Sequence, residues 1–273
     1  MIAFPNNLDN KVFPIEYTQY LLVVQGVTMM IMPSIIFTFL TNLRPWHSIG
    51  MQTIKPIVWV LISIVAIVSI QPLVQVLGIW NSKLVLPDYL SLVERWMRES
   101  EANASVMMTQ ILQGAHIKNI IANILIMAII PAIGEELIFR GCFQKVIGQW
   151  WRNPHLAIVF TALLFSAIHL QFFGFLPRFV LGLLLGYLFY WSKNIWVPII
   201  AHFLNNLGML LLYYYYVEYG DIENPLNVQT SYDQPWWWLA LGTLSLAVTL
   251  FLGFKLYRRA KLQKGLEVEP SVQ

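Results

Sequence analysis

The sequence predicts an all-α fold, a polytopic bundle of transmembrane helices with seven or eight spans. Of the 273 residues, 58% are apolar and 11% are charged, whereas a soluble domain carries about 25% charged residues. The mean hydropathy is +0.61, and apolar runs of about 20 residues, the length that crosses a bilayer, recur along the chain. No internal repeat and no long linker divides the sequence, so we predict a single integral membrane domain over residues 1–273.

The predicted spans follow one another along the chain and are separated by short polar breaks. The first sixteen residues are polar and lack the basic-then-apolar layout of a signal peptide, so the first span is expected to remain in the mature protein. The seven apolar runs cover residues 17–40, 56–80, 117 to beyond 134, 155–170, 175–191, 195–217 and 236–256. A short stretch at 106–116 is the candidate for an eighth span.

Residues 82–113 have a different pattern, in which charged and apolar side chains recur at helical spacing. Glu94, Arg95 and Arg98 are interspersed with Val93 and Trp96. This pattern is typical of a helix that lies in the membrane interface. The alternative interpretation is a solvated surface helix without a task.

The distribution of lysine and arginine predicts the orientation of the chain in the membrane. The loop 218–233 holds four acids and no base. The basic side chains of the C-terminal tail are Lys255, Arg258, Arg259, Lys261 and Lys264. We therefore expect the tail in the cytoplasm, and the acidic loop, the interfacial helix and the N-terminus outside. Arg95, Arg98 and Arg178 are exceptions to this distribution.

Charge and cysteine content exclude several classes of protein. The formal net charge of +3 arises from the basic tail rather than from a basic surface, so no nucleic-acid partner is expected. The single Cys142 forbids an intrachain disulfide and leaves no cysteine cluster for zinc or an iron–sulfur centre. The lipid bilayer is the expected environment, and the sequence does not indicate an oligomeric state.

Two adjacent carboxylates lie at the end of an uninterrupted apolar run, in the segment that leads from Pro131 to Arg140. Ionisable groups at membrane depth are costly and usually serve a function. Glu136 and Arg140 are four residues apart on one helical face, so we predict that they pair and that Glu136 is mainly structural. Glu135 is rotated by about 100° from Glu136 and can face other helices as a free carboxylate. An inert ion-pair network, or a cap for a helix that begins after Pro131, is the alternative.

Three further polar residues occur in apolar helices, namely His169, His202 and Asn206. At 1.5 Å per residue, Glu135, His169 and His202 each lie roughly 13 to 20 Å from the predicted cytoplasmic end of their helix, so the three side chains can meet inside the bilayer. His202 and Asn206, four residues apart, share one face. Arg178, shortly after His169, is interpreted as part of a plain turn rather than of a gate.

A carboxylate, two imidazoles and a carboxamide in a dry pocket suit the hydrolysis of an amide bond. Glu135 would act as general base on a water molecule, and His169 would hold and polarise that water. His202 and Asn206 would donate hydrogen bonds to the oxyanion of the tetrahedral intermediate. Glu136 and Arg140 would support this arrangement. We assign no covalent role to a serine or to the cysteine.

The same groups also allow a metal site. Glu135, His169 and His202 would form a three-ligand zinc site with a position left open for water. The sequence lacks His-Glu-x-x-His, in which two ligands share one helix. We favour the arrangement that requires no cofactor, because Glu136 and Asn206 fit support and donor roles better than the role of a fourth ligand. Zinc stays open as the alternative.

Three motifs in this order resemble those of the CPBP family of intramembrane proteases, also called the Abi or CAAX prenyl endopeptidase family. The motifs are Glu135-Glu136-Leu-Ile-Phe-Arg140, Phe165-Ser-Ala-Ile-His169 and His202-Phe-Leu-Asn-Asn206. They match the family pattern of Glu-Glu-x-x-x-Arg, Phe-x-x-x-His and His-x-x-x-Asn, and the resemblance covers about residues 117–217, the expected catalytic core.

The resemblance implies an all-α membrane endopeptidase that admits a peptide to a cavity within the bilayer. By this resemblance Glu135 is expected to be the base and His169 its water-orienting partner. His202 and Asn206 would be the oxyanion donors, and Glu136 and Arg140 would support them. Family members are often labelled metalloproteases. The eukaryotic branch removes the last three residues of prenylated proteins, and prokaryotic members are linked to bacteriocins and pheromones. The short loops favour a prokaryotic plasma membrane and an unprenylated, membrane-associated peptide or protein as substrate.

Two other classes of function use the same residues. A transporter or channel would relay protons through buried glutamate and histidine side chains. The sequence shows no repeated half and no matching pair of glycine- or proline-broken helices, which are typical of carriers. A catalytically inactive scaffold that binds membrane peptides is the third interpretation, and the presence of all six motif residues argues against it.

Overall fold

The computed structural model describes residues 15–41, 45–51, 57–112, 117–219 and 236–267. Within these ranges the chain is helical and contains no strand, which confirms the predicted all-α class. The helices are α1 Ile15–Thr41, α2 Pro45–Ser48, α3 Val58–Ser82, α4 Ser91–Leu112, α5 Ile117–Trp151, α6 Pro154–Ala167, α7 Phe175–Ser192, α8 Trp196–Tyr219 and α9 Trp236–Glu267. Short 3₁₀ turns at Asp88–Leu90 and Phe172–Gly174 precede α4 and α7.

Six of the described helices, α1, α3, α5, α7, α8 and α9, are long and apolar enough to cross a membrane. The apolar α6 corresponds to the remaining predicted span, but it has only 14 residues. At 1.5 Å per residue its length is about 21 Å, which is less than the hydrocarbon core of about 30 Å. One face of α6 is buried in the bundle, whereas Leu156, Val159, Phe160 and Leu163 are exposed.

The amphipathic stretch forms the helix α4, which is not among the six apolar helices, and its location in the membrane interface stays a prediction. Residues 113–116, the end of the proposed eighth span, lie outside the described residues, and the described part of that stretch belongs to α4. The first fourteen residues and most of the acidic loop also lie outside the described residues. The predicted orientation in the membrane therefore stays a prediction.

The helix α5 contains two π-helical segments, Ile124–Ile129 and Leu137–Phe143. Such insertions are rare and occur frequently at functional sites, because they shift the side chains that follow relative to the regular helical face. The second segment begins directly after Glu136 and contains Arg140. The acidic pair and its predicted partner thus lie at an irregular part of the helix.

The largest apolar cluster lies where α3, α7, α8 and α9 meet. Its members are Trp59, Ile62, Ala66, Ile67, Ile70, Leu184, Leu185, Leu188, Val197, Ala201 and Leu246. A second cluster joins Leu137 of α5 to Phe189, Ile195 and Ile199. These two clusters hold α5, α7 and α8 together around the polar residues that lie between them.

Two glycines allow α7 to approach its neighbours closely. A Cβ at Gly182 would lie 3.1 Å from the Cβ of Ala162, and one at Gly186 would lie 2.8 Å from Cγ2 of Ile158. Small residues four apart are typical of close helix packing in membranes. Because α7 has no side chain here, the backbone oxygen of Gly186 accepts a hydrogen bond from Gln144 of α5 at 3.1 Å.

A buried asparagine joins four helices on the other side of α5. Asn123 donates to the backbone oxygen of Ile111 at 2.9 Å and to the hydroxyl of Tyr214 at 2.8 Å. Its own oxygen accepts from Gln19 at 3.0 Å. All the polar atoms of this side chain are thereby satisfied, and the end of α4 is attached to α1, α5 and α8.

The crossing of α9 over α3 provides a test of the packing. A Cβ at Gly242 would overlap Cγ of Pro72 and would lie 3.0 Å from Cδ of that rigid ring. Gly242→Ala is therefore expected to lower the free energy of unfolding by about 1–3 kcal/mol. Gly78→Ala is the control, because no atom lies within 4 Å of its Cβ position; it should leave stability unchanged or raise it by up to about 1 kcal/mol. Unfolding in mixed detergent micelles measures both, and equal stabilities would contradict the described crossing.

Candidate active site

The two adjacent glutamates of α5 are both withdrawn from the surface. Glu136 is fully buried, and Glu135 is 8% exposed. They precede the π-helical segment, and both face α8, because each carboxylate lies 3.7 Å or less from a ring nitrogen of His202. Glu135 is the more accessible carboxylate.

Arg140 binds Glu136 across one helical turn, as the spacing predicted. Its Nη1 donates to Oε1 of Glu136 at 2.8 Å, and both side chains are almost fully enclosed. Its Nη2 donates to the backbone oxygen of Gly182 at 2.9 Å. The guanidinium also lies over the ring of Phe165, 5.0 Å from the centroid. This arginine therefore connects α5, α6 and α7.

His202 of α8 lies between the two carboxylates. Its Nδ1 is 2.9 Å from Oε1 of Glu136, and its Nε2 is 3.7 Å from Oε2 of Glu135. A carboxylate that already accepts from Arg140 can only accept, so Nδ1 carries the hydrogen of the first contact. The second nitrogen then faces Glu135. The same glutamate oxygen thus orients both the arginine and the imidazole.

His169 lies on the turn after α6 rather than within a helix. We predicted a span at 155–170, but α6 ends at Ala167, and Leu170 has a φ of 53°. A left-handed residue ends a helix, and hydropathy does not reveal it. Nδ1 of His169 is 2.7 Å from the backbone oxygen of Phe165. Because a carbonyl only accepts, Nδ1 is the protonated nitrogen and Nε2 is left as an acceptor.

The ring of Phe165 lies beside both histidines. Its centroid is 5.1 Å from that of His169 and 5.9 Å from that of His202. The ring is buried and, as described above, is also in contact with Arg140. One aromatic side chain thus separates the ion pair from the turn that carries His169 and holds the two imidazoles near each other.

Asn206 lies one turn after His202 on α8 and is half-buried. Its side-chain oxygen accepts from Asn205 at 3.3 Å, and Asn205 in turn accepts from Gln71 of α3 at 3.1 Å. Among the described residues, no hydrogen bond joins Asn206 to Glu135, His169 or His202. The oxygen of Asn206 therefore accepts a hydrogen bond from Asn205, and the amide nitrogen is the atom of this side chain that can donate.

Several residues that contact or support this site were missed in the sequence. Gly182 and Gln71 contribute a carbonyl and an amide, and Asn81 binds the turn after His169 by donating to the backbone of Phe172 at 2.8 Å and accepting from that of Leu176 at 2.7 Å. Gln71 had a usable signal, because it is a polar residue in the middle of an apolar span. A backbone carbonyl has no such signal.

Charged residues of α4 outside the spans have shifted pKa values. Burial raises the pKa of Glu101, and the positive charge of Arg178 and a hydrogen bond from the backbone of Phe173 oppose this shift. The pKa of Glu94 is lowered by its hydrogen bonds with Arg98 and with the backbone of Leu86. Glu94 is thus paired within and next to α4, whereas Glu101 interacts with Arg178 of α7.

The zinc alternative requires Glu135, His169 and His202 to converge on one ion. Across the described residues, no three histidine, cysteine, aspartate or glutamate side chains are grouped so that they could hold a metal. Nδ1 of His202 and Nδ1 of His169 contact Glu136 and a backbone carbonyl, so Nε2 is the nitrogen of each ring that could bind an ion. Because the described side chains are not grouped around one point, they do not fit a three-ligand site, and we derive no step through a metal.

Comparison with known proteins supports the resemblance drawn from the three motifs. Residues 117–208 match the family described as Rce1-like, "Type II CAAX prenyl endopeptidase Rce1-like". This segment contains all six motif residues and most of the predicted core. The chain is also 31% identical over 91 residues to the uncharacterized protein YpbD of Bacillus subtilis (strain 168), a match that covers 32% of this chain and 43% of that protein. No solved structure matches the chain.

The alignment thus spans less than half of the length of that curated relative. What is similar is the segment that carries the candidate site, and the remaining helices have no counterpart in these matches. Together with its six long apolar helices, the match identifies the chain as an integral membrane protein with a segment similar to an endopeptidase family.

Proposed function

We propose that this protein is a membrane-embedded endopeptidase that hydrolyses a peptide bond of a membrane-associated peptide or protein. The observation that carries the proposal is the placement of Glu135 of α5 at a buried position, 3.7 Å from Nε2 of His202 of α8. Among the described residues Arg140 forms its ion pair with Glu136 and not with Glu135. A buried carboxylate in a cluster of ionisable side chains is a candidate acid–base group. The match of residues 117–208 to an endopeptidase family gives independent support.

In the proposed reaction, Glu135 takes a proton from a water molecule as its oxygen attacks the carbonyl carbon of the peptide bond. His169 orients this water by accepting a hydrogen bond at Nε2, the nitrogen that its contact with Phe165 leaves available. Glu135 then returns the proton to the leaving nitrogen as the carbon–nitrogen bond breaks. The products are a new carboxylate and a new amine, and no covalent enzyme intermediate forms.

The oxyanion of the tetrahedral intermediate would be bound by Nε2 of His202 and by the amide nitrogen of Asn206. Donation from Nε2 requires a hydrogen on each nitrogen of His202, so in this step the ring acts as a cation held by Glu136. Glu136 and Arg140 contribute by orientation. Each oxyanion donor typically contributes about 10²- to 10³-fold in rate.

We place the catalytic core at residues 117–217 and the C-terminus in the cytoplasm of a prokaryotic cell. The substrate would reach the site within the bilayer, and the proposal is independent of its sequence and lipid modification.

A transporter with a glutamate–histidine proton relay is the rival. It is disfavoured because His202 and Glu136 form an inter-helical contact that anchors the imidazole rather than leaving it free to shuttle between partners.

Hydrolysis by the purified protein tests the proposal. Peptides with a membrane anchor, with and without a prenyl group, are incubated with the protein in liposomes prepared in H₂¹⁸O, and new termini are identified by mass spectrometry. We expect one ¹⁸O atom in each new carboxylate. Flux of the peptide across the vesicle membrane with no new terminus would support the transporter instead.

Chelation addresses the zinc alternative. Because the described donors do not form a three-ligand group, we expect peptide cleavage to persist after dialysis against 1,10-phenanthroline. A known zinc peptidase treated in parallel provides the control. Loss of cleavage that added zinc restores would overturn the metal-free mechanism while leaving the endopeptidase assignment in place.

A further inference from the structure

The turn between α6 and α7 determines where His169 is placed. His169 lies two residues beyond the end of α6, and the next residue, Leu170, has the left-handed φ of 53°. A leucine adopts this conformation only where its surroundings impose it. The 3₁₀ turn Phe172–Gly174 follows immediately. The position of the imidazole therefore depends on what holds this turn.

Arg178, one turn into α7, reaches back to the turn and binds a single residue of it twice. Its Nη1 donates to the backbone oxygen of Gln171 at 2.8 Å, and its Nη2 donates to the side-chain oxygen of the same glutamine. The planar guanidinium makes two bonds in fixed geometry, which an ammonium group cannot do. Gln171 is two residues from His169.

Gly174 provides the space for this contact. A Cβ at Gly174 would lie 2.6 Å from Nη2 and 3.0 Å from Cζ of Arg178. The guanidinium thus occupies the volume that a side chain at position 174 would fill. Any larger residue there would displace the arginine from Gln171.

The helix α4 also contacts this turn. The carboxylate of Glu101 interacts electrostatically with Arg178. The ring of Trp96 packs on that of Phe172, with the centroids 5.0 Å apart. The turn is therefore held from α7 by Arg178, from α3 by Asn81 and from α4 by the ring of Trp96.

We propose that Arg178 is a positioning residue that holds the turn carrying His169. Both Nη groups of Arg178 bind Gln171, so the residue acts on the reaction through this turn. Its charge also interacts with Glu135 and His169, and Arg178→Lys and Gly174→Ala keep this charge. This role replaces our interpretation of Arg178 as part of a plain turn. The expected effect on kcat rests on the proposed function, whereas the effect on the turn can be measured by hydrogen exchange without a substrate.

The test compares Arg178→Gln, Arg178→Lys and Gly174→Ala with Arg95→Gln, a control that removes the same charge from an exposed arginine of α4. Hydrogen exchange in detergent, read by mass spectrometry, should be faster at residues 168–176 in Arg178→Gln and unchanged at residues 131–144. The lysine variant should be intermediate, because it keeps the charge and one hydrogen bond. Gly174→Ala should reproduce the faster exchange with the arginine still present.

The same variants are assayed for peptide cleavage. Arg178→Gln is expected to lower kcat about 10- to 100-fold with little change in KM, because a displaced imidazole affects the reaction rather than the binding of substrate. Arg178→Lys should recover part of this loss, and Arg95→Gln should match the wild type. If Arg178→Gln only reduced the amount of folded protein, the apparent kcat would fall in proportion to the unfolded fraction. Arg178→Lys would then not restore it.

Two outcomes would overturn the proposal. One is unchanged exchange at residues 168–176 in both Arg178→Gln and Gly174→Ala. The other is faster exchange with an undiminished kcat in an active protein. If the wild-type protein cleaves no peptide, the proposed function fails, and the exchange comparison still decides whether Arg178 holds the turn.

Discussion

Replacement of Glu135 by glutamine is expected to lower kcat for peptide cleavage about 10²- to 10⁴-fold, the range that a general base contributes. The amide keeps the size of the side chain but cannot accept the proton of the attacking water. KM should change little, because the substrate contacts do not depend on this proton transfer. Single-turnover cleavage of the anchored peptide, followed by mass spectrometry, measures the loss.

A matched control separates the catalytic effect from the change in charge. Glu99→Gln makes the same substitution at an exposed position of α4 and should retain full activity. Because no ion pair joins Glu135 to an arginine within the described part of the chain, Glu135→Gln should also unfold at the same denaturant concentration as the wild type. Full activity in Glu135→Gln would remove the base from the mechanism, and with it the main reason for assigning the other polar residues.

Replacement of Arg140 by methionine is expected to reduce the free energy of unfolding by about 3–5 kcal/mol, the typical cost of breaking a buried ion pair. Glu136 would keep only its contact with His202 at a fully enclosed position, and the backbone oxygen of Gly182 would lose its donor. Combining Arg140→Met with Glu136→Gln should recover most of the stability, because no charge is then left without a partner. Denaturation in mixed micelles compares the three variants.

The second glutamate–arginine pair of the chain serves as the control for burial. Arg98 and Glu94 have the same spacing and an N–O distance of 2.6 Å, but the side chain of Arg98 is 50% exposed. Arg98→Met is therefore expected to cost less than about 1 kcal/mol. Similar losses for Arg140→Met and Arg98→Met would show that burial does not control the strength of the first pair.

Much of the fold could be predicted because apolar runs of bilayer length report directly on spanning helices. The pairing of Glu136 with Arg140 was also accessible, since it depends only on helical spacing. The end of α6 was not, because the chain leaves the helix through the backbone conformation of Leu170 in a stretch that is still apolar.

Contacts between helices were harder to predict than contacts within one helix. The bond from His202 to Glu136 joins residues 66 positions apart, and nothing in either local sequence specifies it. Arg178 was recognised as an exception to the charge distribution, but its partner Gln171 depends on the shape of a turn. Gly182 contributes a carbonyl oxygen, which every residue possesses, so only the packing reveals its part.

The oxygen Oε1 of Glu136, which receives both Arg140 and His202, limits how the bundle can move. Separating α5 from α8 would break the contact of Glu136 with His202, and separating α5 from α7 would break the hydrogen bond from Arg140 to the backbone oxygen of Gly182, each at a cost above thermal energy in so enclosed a place. We therefore expect α5, α7 and α8 to behave as one block during turnover. A polypeptide would be admitted by displacement of helices at the perimeter of this block, and cross-links that tie α5 to α8 should leave turnover intact.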